Sequence, residues 1–480
     1  MLDAAMNLLI LPEIGLLLLA GLILTIDLLT PDASGGRRTF TLAWVGLTII
    51  FLLLVALPTG VEKTYLGTYR VTGLGLLFKQ VFTLSALCTV LLSRSYFTPQ
   101  GSRRGRMKNQ GEFYTILLVC TLGTFTVVSS TDLLTLFIGM EMATIPLYAL
   151  SAFLKNDEQA TEASTKYIIM GSLSTGLLLF GYSLLYGAGG SIQFAQLLAV
   201  VQADPAAPLL NLGVLFVLAA IGFKLTLFPF HMWAPDVYEG APTPVTAFLA
   251  ISSKATAVAF LIMLLHGPLA PMQPNLTWVL LLLAATTMTV GNLGALRQQN
   301  LRRFMAYSSI AQAGYIIMAL SGKAALAQPA IIFYLLVYGA ANYATFFIIS
   351  LIGRNQDENF AALRGLGKQH PALALILMLS LFSLGGIPPL AGFMGKFLLF
   401  AAAAEQGHYF MVIFAALNST VSLYYYLLLI KEAYITAPPT EPLALRIELH
   451  HRAGLMLLTL GMIVPAFLPR ILDGIDRLIG

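Results

Sequence analysis

The chain has 480 residues, is 58% hydrophobic and only 10% charged, and carries a formal net charge of +5, a balance that places it among polytopic membrane proteins and leaves no stretch for a sizeable soluble domain. Its two cysteines, Cys88 and Cys120, are isolated in apolar runs with no spacing for a disulfide frame, a zinc site or an iron–sulfur cluster. No GxGxxG turn opens a helix and no Walker loop is present, which excludes the usual nucleotide sites, and the modest positive charge fits loop topology rather than nucleic-acid binding.

About 20 mainly apolar residues are needed to cross the hydrocarbon core as a helix. By that rule fourteen spans are expected, over 8–29, 40–57, 73–92, 113–129, 133–154, 163–186, 211–231, 245–266, 276–296, 303–320, 329–352, 371–400, 408–430 and 452–469. The first is preceded by Asp3 and by no lysine or arginine, so it reads as a retained span rather than a cleavable signal. Connections are short except 93–112, 187–210, 353–370 and 431–451. The expectation is an all-α polytopic protein forming one membrane domain.

Loop charge predicts orientation, because cytoplasmic loops collect Lys and Arg. Seventeen of the 27 cations fall in the odd-numbered loops, among them Arg37, Arg38, Arg94, Arg103, Arg104, Arg106, Lys108, Arg297, Arg302, Arg303 and Arg446. Only Lys63, Arg70, Lys323, Arg470 and Arg477 lie in even loops or at the termini, so both termini are expected on the outer side. The remaining five, Lys79, Lys166, Lys224, Lys254 and Lys396, lie within spans.

The seventh span is interrupted around Pro229 and Pro235, and the twelfth by the run from Ser383 to Lys396 that contains Gly385, Gly386, Pro388 and Pro389. Unwound backbone inside a membrane is tolerated only where protein or a water-filled cavity satisfies it, and breaks at corresponding positions of two halves point to repeats around a mid-membrane site. An offset of five spans makes the two halves opposite in orientation.

Ionisable groups at that depth cost about 2.5 kcal/mol or more and mark ion or proton paths. Glu141 is the one carboxylate expected near the middle of a span, where it either pairs structurally with a lysine or tunes one. Lys166, Lys224, Lys254 and Lys396 each occupy a different span, and four buried cations cannot all be neutralised by one carboxylate. A lysine that alternates between charged and neutral carries protons. Snorkelling is the plainer reading for Lys79, near the outer end of its span. His231, beside Pro229, is either a proton-passing group or a packing residue; Thr226, Ser252, Ser253, Ser419, Thr420 and Tyr424 to Tyr426 read first as helix-packing groups. No second histidine or acid stands at metal-ligand spacing.

The run from Phe223 to Val245, including Lys224, Pro229, His231, Trp233, Asp236, Tyr238 and Glu239, followed by Lys254, closely resembles the N-type antiporter-like subunits of proton-pumping NADH:quinone oxidoreductase, respiratory complex I. Supporting segments are Met140 to Met142, Glu162 to Tyr167, Asn300 to Tyr315 and Gly386 to Lys396, so the resemblance spans about 110–430. It implies two inverted five-helix repeats, spans 4–8 and 9–13, each with one broken helix, and a division into 1–109, 110–270, 271–435 and 436–480. It also implies that Glu141 and Lys224 form a coupling pair, with Lys166 an accompanying first-half lysine, His231 the histidine of the first break, Lys254 the central lysine and Lys396 the lysine on the exit side. Protons would cross a bacterial inner membrane, driven by redox chemistry in partner chains. No cofactor is expected in this chain; NADH, FMN, iron–sulfur clusters and quinone would belong to the peripheral arm and the other membrane subunits. Two alternatives stand beside this reading. One is an Mrp-type cation/proton antiporter subunit, and the other a structural membrane subunit without its own proton path.

Overall fold

The structure, a computed structural model, describes residues 8–30, 32–58, 60, 62–97, 107–354, 356–438, 445, 447–468 and 470–479. Loop cations Arg103, Arg104, Arg106 and Arg446 lie outside the described residues. Helices, or pairs of half-helices, occupy each of the fourteen predicted positions. In chain order they are α1 (Leu11–Leu29), α2 (Asp32–Ala56), α3 (Gly73–Ser93), α4 (Gln110–Ser129), α5 (Leu133–Ser151), α6 (Glu158–Gly189), α7 (Phe194–Ala203), α8 (Pro208–Lys224), α9 (Trp233–Gly240), α10 (Thr243–Phe248) and α11 (Lys254–Leu265). Then follow α12 (Gln273–Ala295), α13 (Leu301–Leu320), α14 (Ala324–Ile352), α15 (Leu366–Gln369), α16 (Pro371–Gly385), α17 (Ala391–Ala404), α18 (Tyr409–Tyr434), α19 (Leu449–Phe467) and α20 (Arg470–Ile479).

Ten of these helices are long and apolar enough to cross a membrane by themselves, or eleven if α19 and α20, bent by 85°, make one more. The predicted spans outside those ten are the two broken ones, the last, and α13. Helix α13 carries Arg302, Arg303, Ser308, Ser309 and Gln312 but is buried along nearly its whole length, so its environment is protein rather than lipid and polarity costs it little.

Local chemistry sets several boundaries. Thr72, Asp132, Asp157 and Asn300 cap the first turns of α3, α5, α6 and α13 by accepting backbone N–H groups. Gly190, at φ +64°, closes α6 in the left-handed conformation that glycine adopts without a Cβ penalty. Besides α7 and α15, which fall in expected connections, three features lay outside the sequence expectations. A hairpin, β1 (Lys63–Tyr65) with β2 (Tyr69–Val71), sits between α2 and α3; a π-helical turn, Leu249–Ser253, immediately precedes Lys254; and α20 turns sharply away from α19.

Two further contacts have the same form in different places. At the start of α5, Leu133 N–H donates to Ile192 O and Phe194 N–H to Thr131 O, both at 3.0 Å. At the start of α13, Leu301 N–H donates to Glu358 O at 2.7 Å and Phe360 N–H to Gln299 O at 3.0 Å. Likewise, a Cβ on Gly123 of α4 would meet the backbone of Ala143 in α5, and one on Gly291 of α12 would meet the backbone of Ala311 in α13. Glycine is required at both crossings because the helix backbones approach too closely for a side chain.

Candidate functional site: a buried axis of lysines

The break in the seventh span begins at Lys224 itself, the last residue of α8, rather than at Pro229. Thr226 follows at φ +60°, a strained conformation for a β-branched residue. The groups freed by unwinding are satisfied locally: Leu227 N–H donates to Gly222 O at 2.7 Å, and the Trp233 indole N–H reaches back to Phe223 O at 3.0 Å. Trp233 also stacks on Tyr167 with centroids 4.6 Å apart. The break is thus a packed feature held by aromatic rings.

Lys224 Nζ lies 3.5 Å from Glu141 Oε1, with side-chain exposures of 2% and 11%. That is a close ion pair but longer than the 2.7–2.9 Å of a tight charge-assisted hydrogen bond. Each partner is held separately, Lys224 donating to Thr144 Oγ1 at 3.0 Å and Glu141 accepting from Thr175 Oγ1 at 3.0 Å. The neighbours hold each partner by a hydrogen bond of its own beside the 3.5 Å pair.

Lys254 follows the π turn and is buried. Its ammonium donates to Thr226 Oγ1 at 2.8 Å and to Ser309 O at 2.7 Å, tying α11 to the first break and to α13. Among the described residues no carboxylate stands within ion-pair distance of it. From there a polar seam runs through α13. Tyr238 OH contacts Ser309 Oγ at 3.3 Å, Ser308 Oγ contacts Tyr426 OH at 2.6 Å, and Gln312 Nε2 donates to Tyr426 OH at 3.3 Å and to Leu384 O at 3.1 Å. Leu384 opens the second break. There Lys396 Nζ donates to Gly385 O at 3.2 Å and to Ser419 Oγ at 2.9 Å, and lies 4.8 Å from the centroid of the Tyr315 ring. Gly386 is at φ +82°, where a Cβ would be strained and would press on the Lys396 stem at 3.0 Å.

The structure brings Glu141 and Lys224 together and sets Lys254 and Lys396 on the polar seam through α13. Lys166 differs. Its side chain is 43% exposed and pairs with Glu162 and Asp236, each at 2.7 Å; the expectation that it is a buried cation short of a partner is corrected, because Asp236 on α9 is folded against it. Asp236 also takes Arg303 of α13 at 2.7 Å. His231 is buried in the break beside the Phe228 ring, with no hydrogen bond to any of the lysines among the described residues.

Lys79 is also corrected. It does not snorkel: it is fully buried and paired with Glu13 at 2.5 Å. Of the residues read first as packing groups, Thr226, Ser419 and Tyr426 belong to the seam, whereas Tyr424 is 59% exposed and Thr420 bonds within its own helix. Thr144, Thr175, Ser308 and Gln312 were not anticipated. The available signal was a polar residue placed at helical spacing from Glu141 or within an otherwise apolar span.

Residues 130–422 match the family described as NADH:quinone oxidoreductase/Mrp antiporter, TM. The chain belongs to this family. Among curated members, it is 38% identical over 401 residues to NADH-quinone oxidoreductase subunit N of Trichlorobacter lovleyi, covering 82% of this chain and 80% of that protein. It is 34% identical over 462 residues to subunit N of Nitrosomonas europaea, covering 94% of each. A chain of respiratory complex I from Thermus thermophilus, solved with bound aureothin, superposes with a TM-score of 0.82 at 33% identity over 97% of this chain and 99% of that one. A chain of the Mrp complex from Dietzia sp. superposes with a TM-score of 0.86 at 22% identity over 98% and 97%, a likeness of fold. This antiporter-like family member is therefore a multi-pass, helical membrane protein of the subunit N type.

Proposed function

We propose that the chain is a membrane-arm subunit of a proton-pumping NADH:quinone oxidoreductase in a bacterial inner membrane, and that it conducts protons through Glu141, Lys224, Lys254 and Lys396 without redox chemistry of its own. The observation that carries this reading is the row of three buried lysines with a single carboxylate at one end. Permanent charge on all three would be prohibitively costly at membrane depth, whereas lysines that exchange protons through the hydroxyls of Thr226, Ser308, Tyr426 and Ser419 make such a row workable. Lys166 and His231 have accompanying roles at the edges of the path. FMN, iron–sulfur clusters, NADH and quinone are assigned to partner subunits.

The coupling step follows from the loose pair. Coulomb attraction falls as the inverse of distance, so moving Glu141 from 3.5 Å to about twice that separation costs about 2 kcal/mol at an effective dielectric of about 20. That is more than a tenfold change in proton affinity. Drawing the carboxylate away lets Lys224 pass its proton toward Lys254, and from there the seam leads to Lys396.

The same reading takes all fourteen helical positions as spans with both termini outside, and divides the chain into 1–109, the repeats 110–270 and 271–435, and 436–480. The loop cations support the orientation. Inverted repeats are supported by the paired backbone contacts: Asp132 and Asn300, Gly123 and Gly291, and Ala143 and Ala311 play matching parts at one constant separation in sequence. The deciding experiment is mild solubilisation of native membranes and purification on this chain. NADH:quinone oxidoreductase activity in one large particle is expected; small membrane partners with sodium-driven proton flux and no redox activity would overturn the reading in favour of an antiporter.

A further inference from the structure

Outside the seam, one buried ionisable cluster has no part in the path just described. Glu13, in the first turn of α1, and Lys79, in the second turn of α3, form an ion pair with side-chain exposures of 9% and 0%. Tyr69 of the hairpin donates its hydroxyl to the same carboxylate oxygen, Glu13 Oε1, at 2.6 Å. The second oxygen, Oε2, is buried and has no partner among the described residues. The rings of Tyr69 and Phe125 lie 5.4 and 5.7 Å from the ammonium. Leu66, at the tip of the hairpin, is 98% exposed. On the other side of Lys79, buried hydroxyls continue along α3: Thr83 one turn away, then Ser85, which contacts Tyr343 OH of α14 at 2.7 Å.

The plain alternative is a clasp that holds α1 and the hairpin on α3. The positive N-terminal end of α1 does favour a carboxylate at Glu13. A clasp, however, gains little from burying charge, because the desolvation of both ions offsets most of their attraction, and it gains less when half the carboxylate goes unsatisfied. A carboxyl group that alternates between ionised and protonated forms, bonded to a tyrosine hydroxyl at the base of an exposed hairpin, makes use of both features.

We propose that Glu13, Lys79 and Tyr69 form a second protonatable site of this chain, a station that exchanges protons with the outer aqueous phase beneath the hairpin. The inference rests on the proton-conducting reading above and on the orientation that goes with it. In the step, an N–H bond of the Lys79 ammonium breaks and an O–H bond forms on Glu13, leaving a neutral amine and a carboxylic acid. The acid then gives its proton to a water molecule at the hairpin beside Tyr69, which restores the carboxylate. The amine takes up a proton from a hydronium ion arriving on the Thr83 side, which leaves a water molecule behind, and the cycle closes with one proton moved and no net change in the protein.

Arginine separates the two roles, because it keeps the charge and the ion pair but does not deprotonate in proteins. The whole enzyme carrying Lys79→Arg is reconstituted in proteoliposomes, and proton transfer to the outer-side compartment is measured with a pH-sensitive dye against NADH oxidation. A lowered proton-to-electron ratio in assembled enzyme is expected; the wild-type ratio overturns the proposal. Should Lys79→Arg fail to assemble, the Glu13→Gln/Lys79→Met double variant, which removes both charges, is measured the same way with the same two outcomes. Failure of both variants to assemble identifies a clasp and overturns the proposal as well. Lys224→Ala is run in parallel: if it too keeps the wild-type ratio, the proton-conducting reading itself fails, whereas a fall in Lys224→Ala alone removes only the second site.

Discussion

The two broken helices solve the same backbone problem with different chemistry. In the first, unwinding after Lys224 leaves Phe223 O to be satisfied by the Trp233 indole, and the lysine faces Glu141 at 3.5 Å. In the second, Gln312 satisfies Leu384 O, and Lys396 reaches back from the far half-helix to Gly385 O and Ser419 Oγ. Both ammonium groups sit near the C-terminal end of a half-helix, where the aligned peptide dipoles favour positive charge. Among the described residues only the first lysine has a carboxylate within ion-pair distance. The comparison teaches that similar breaks can leave their lysines in unequal surroundings, the first facing a carboxylate and the second a backbone carbonyl and a hydroxyl.

The sharpest way to break this comparison is to remove one partner of the Glu141–Lys224 pair. Lys224→Ala should abolish most proton transfer while the complex still assembles, and Glu141→Gln should do nearly as much harm; proton-to-electron ratio in purified, assembled enzyme is the readout. If Ser419→Ala proved as damaging as Glu141→Gln, the asymmetry would be gone, because Gly385 O remains to hold Lys396 when that hydroxyl is lost. Next in size is Gln312→Leu, which leaves Leu384 O and the Tyr334 and Tyr426 hydroxyls without their amide partner. Thermal unfolding should show a loss of about 1–3 kcal/mol, the usual cost of an unsatisfied buried group, together with slower proton transfer. Trp233→Phe keeps the ring stack on Tyr167 and removes only the bond to Phe223 O, so about 1 kcal/mol of stability is at stake. Smallest of all is Lys166→Ala. Its half-exposed pairs are worth about 0–1 kcal/mol, and because Arg303 still holds Asp236, pumping should fall far less than in Lys224→Ala.

Legibility in the sequence varied with how local the signal was. Apolar runs marked a helix or broken helix at each of the fourteen expected positions but not α7, α15 or α20, which lie in expected connections or beyond the last span, and the Pro and Gly clusters marked both breaks, though the first begins five residues earlier than Pro229 suggested, because α8 already ends at Lys224. Glu141, Lys224, Lys254 and Lys396 stood out because charge within an apolar run is rare and costly. The hydroxyl and amide groups between them did not, since Thr144, Thr175, Ser308 and Gln312 look like ordinary helix-packing residues until their partners are known.

Hydropathy, loop charge and helix-breaking residues thus determined by themselves that this is a helical membrane protein with interrupted spans and buried lysines, because each of those properties is a sum over neighbours in the chain. Pairing is not such a sum. Only the tertiary structure decided that Lys79 is buried against Glu13, 66 residues away, rather than reaching for the interface. It also decided that Lys166 is half-exposed on Asp236, 70 residues away, and that Lys254 is held by a carbonyl of α13. A charged side chain takes the state its surroundings can solvate, and those surroundings are assembled from helices remote in sequence.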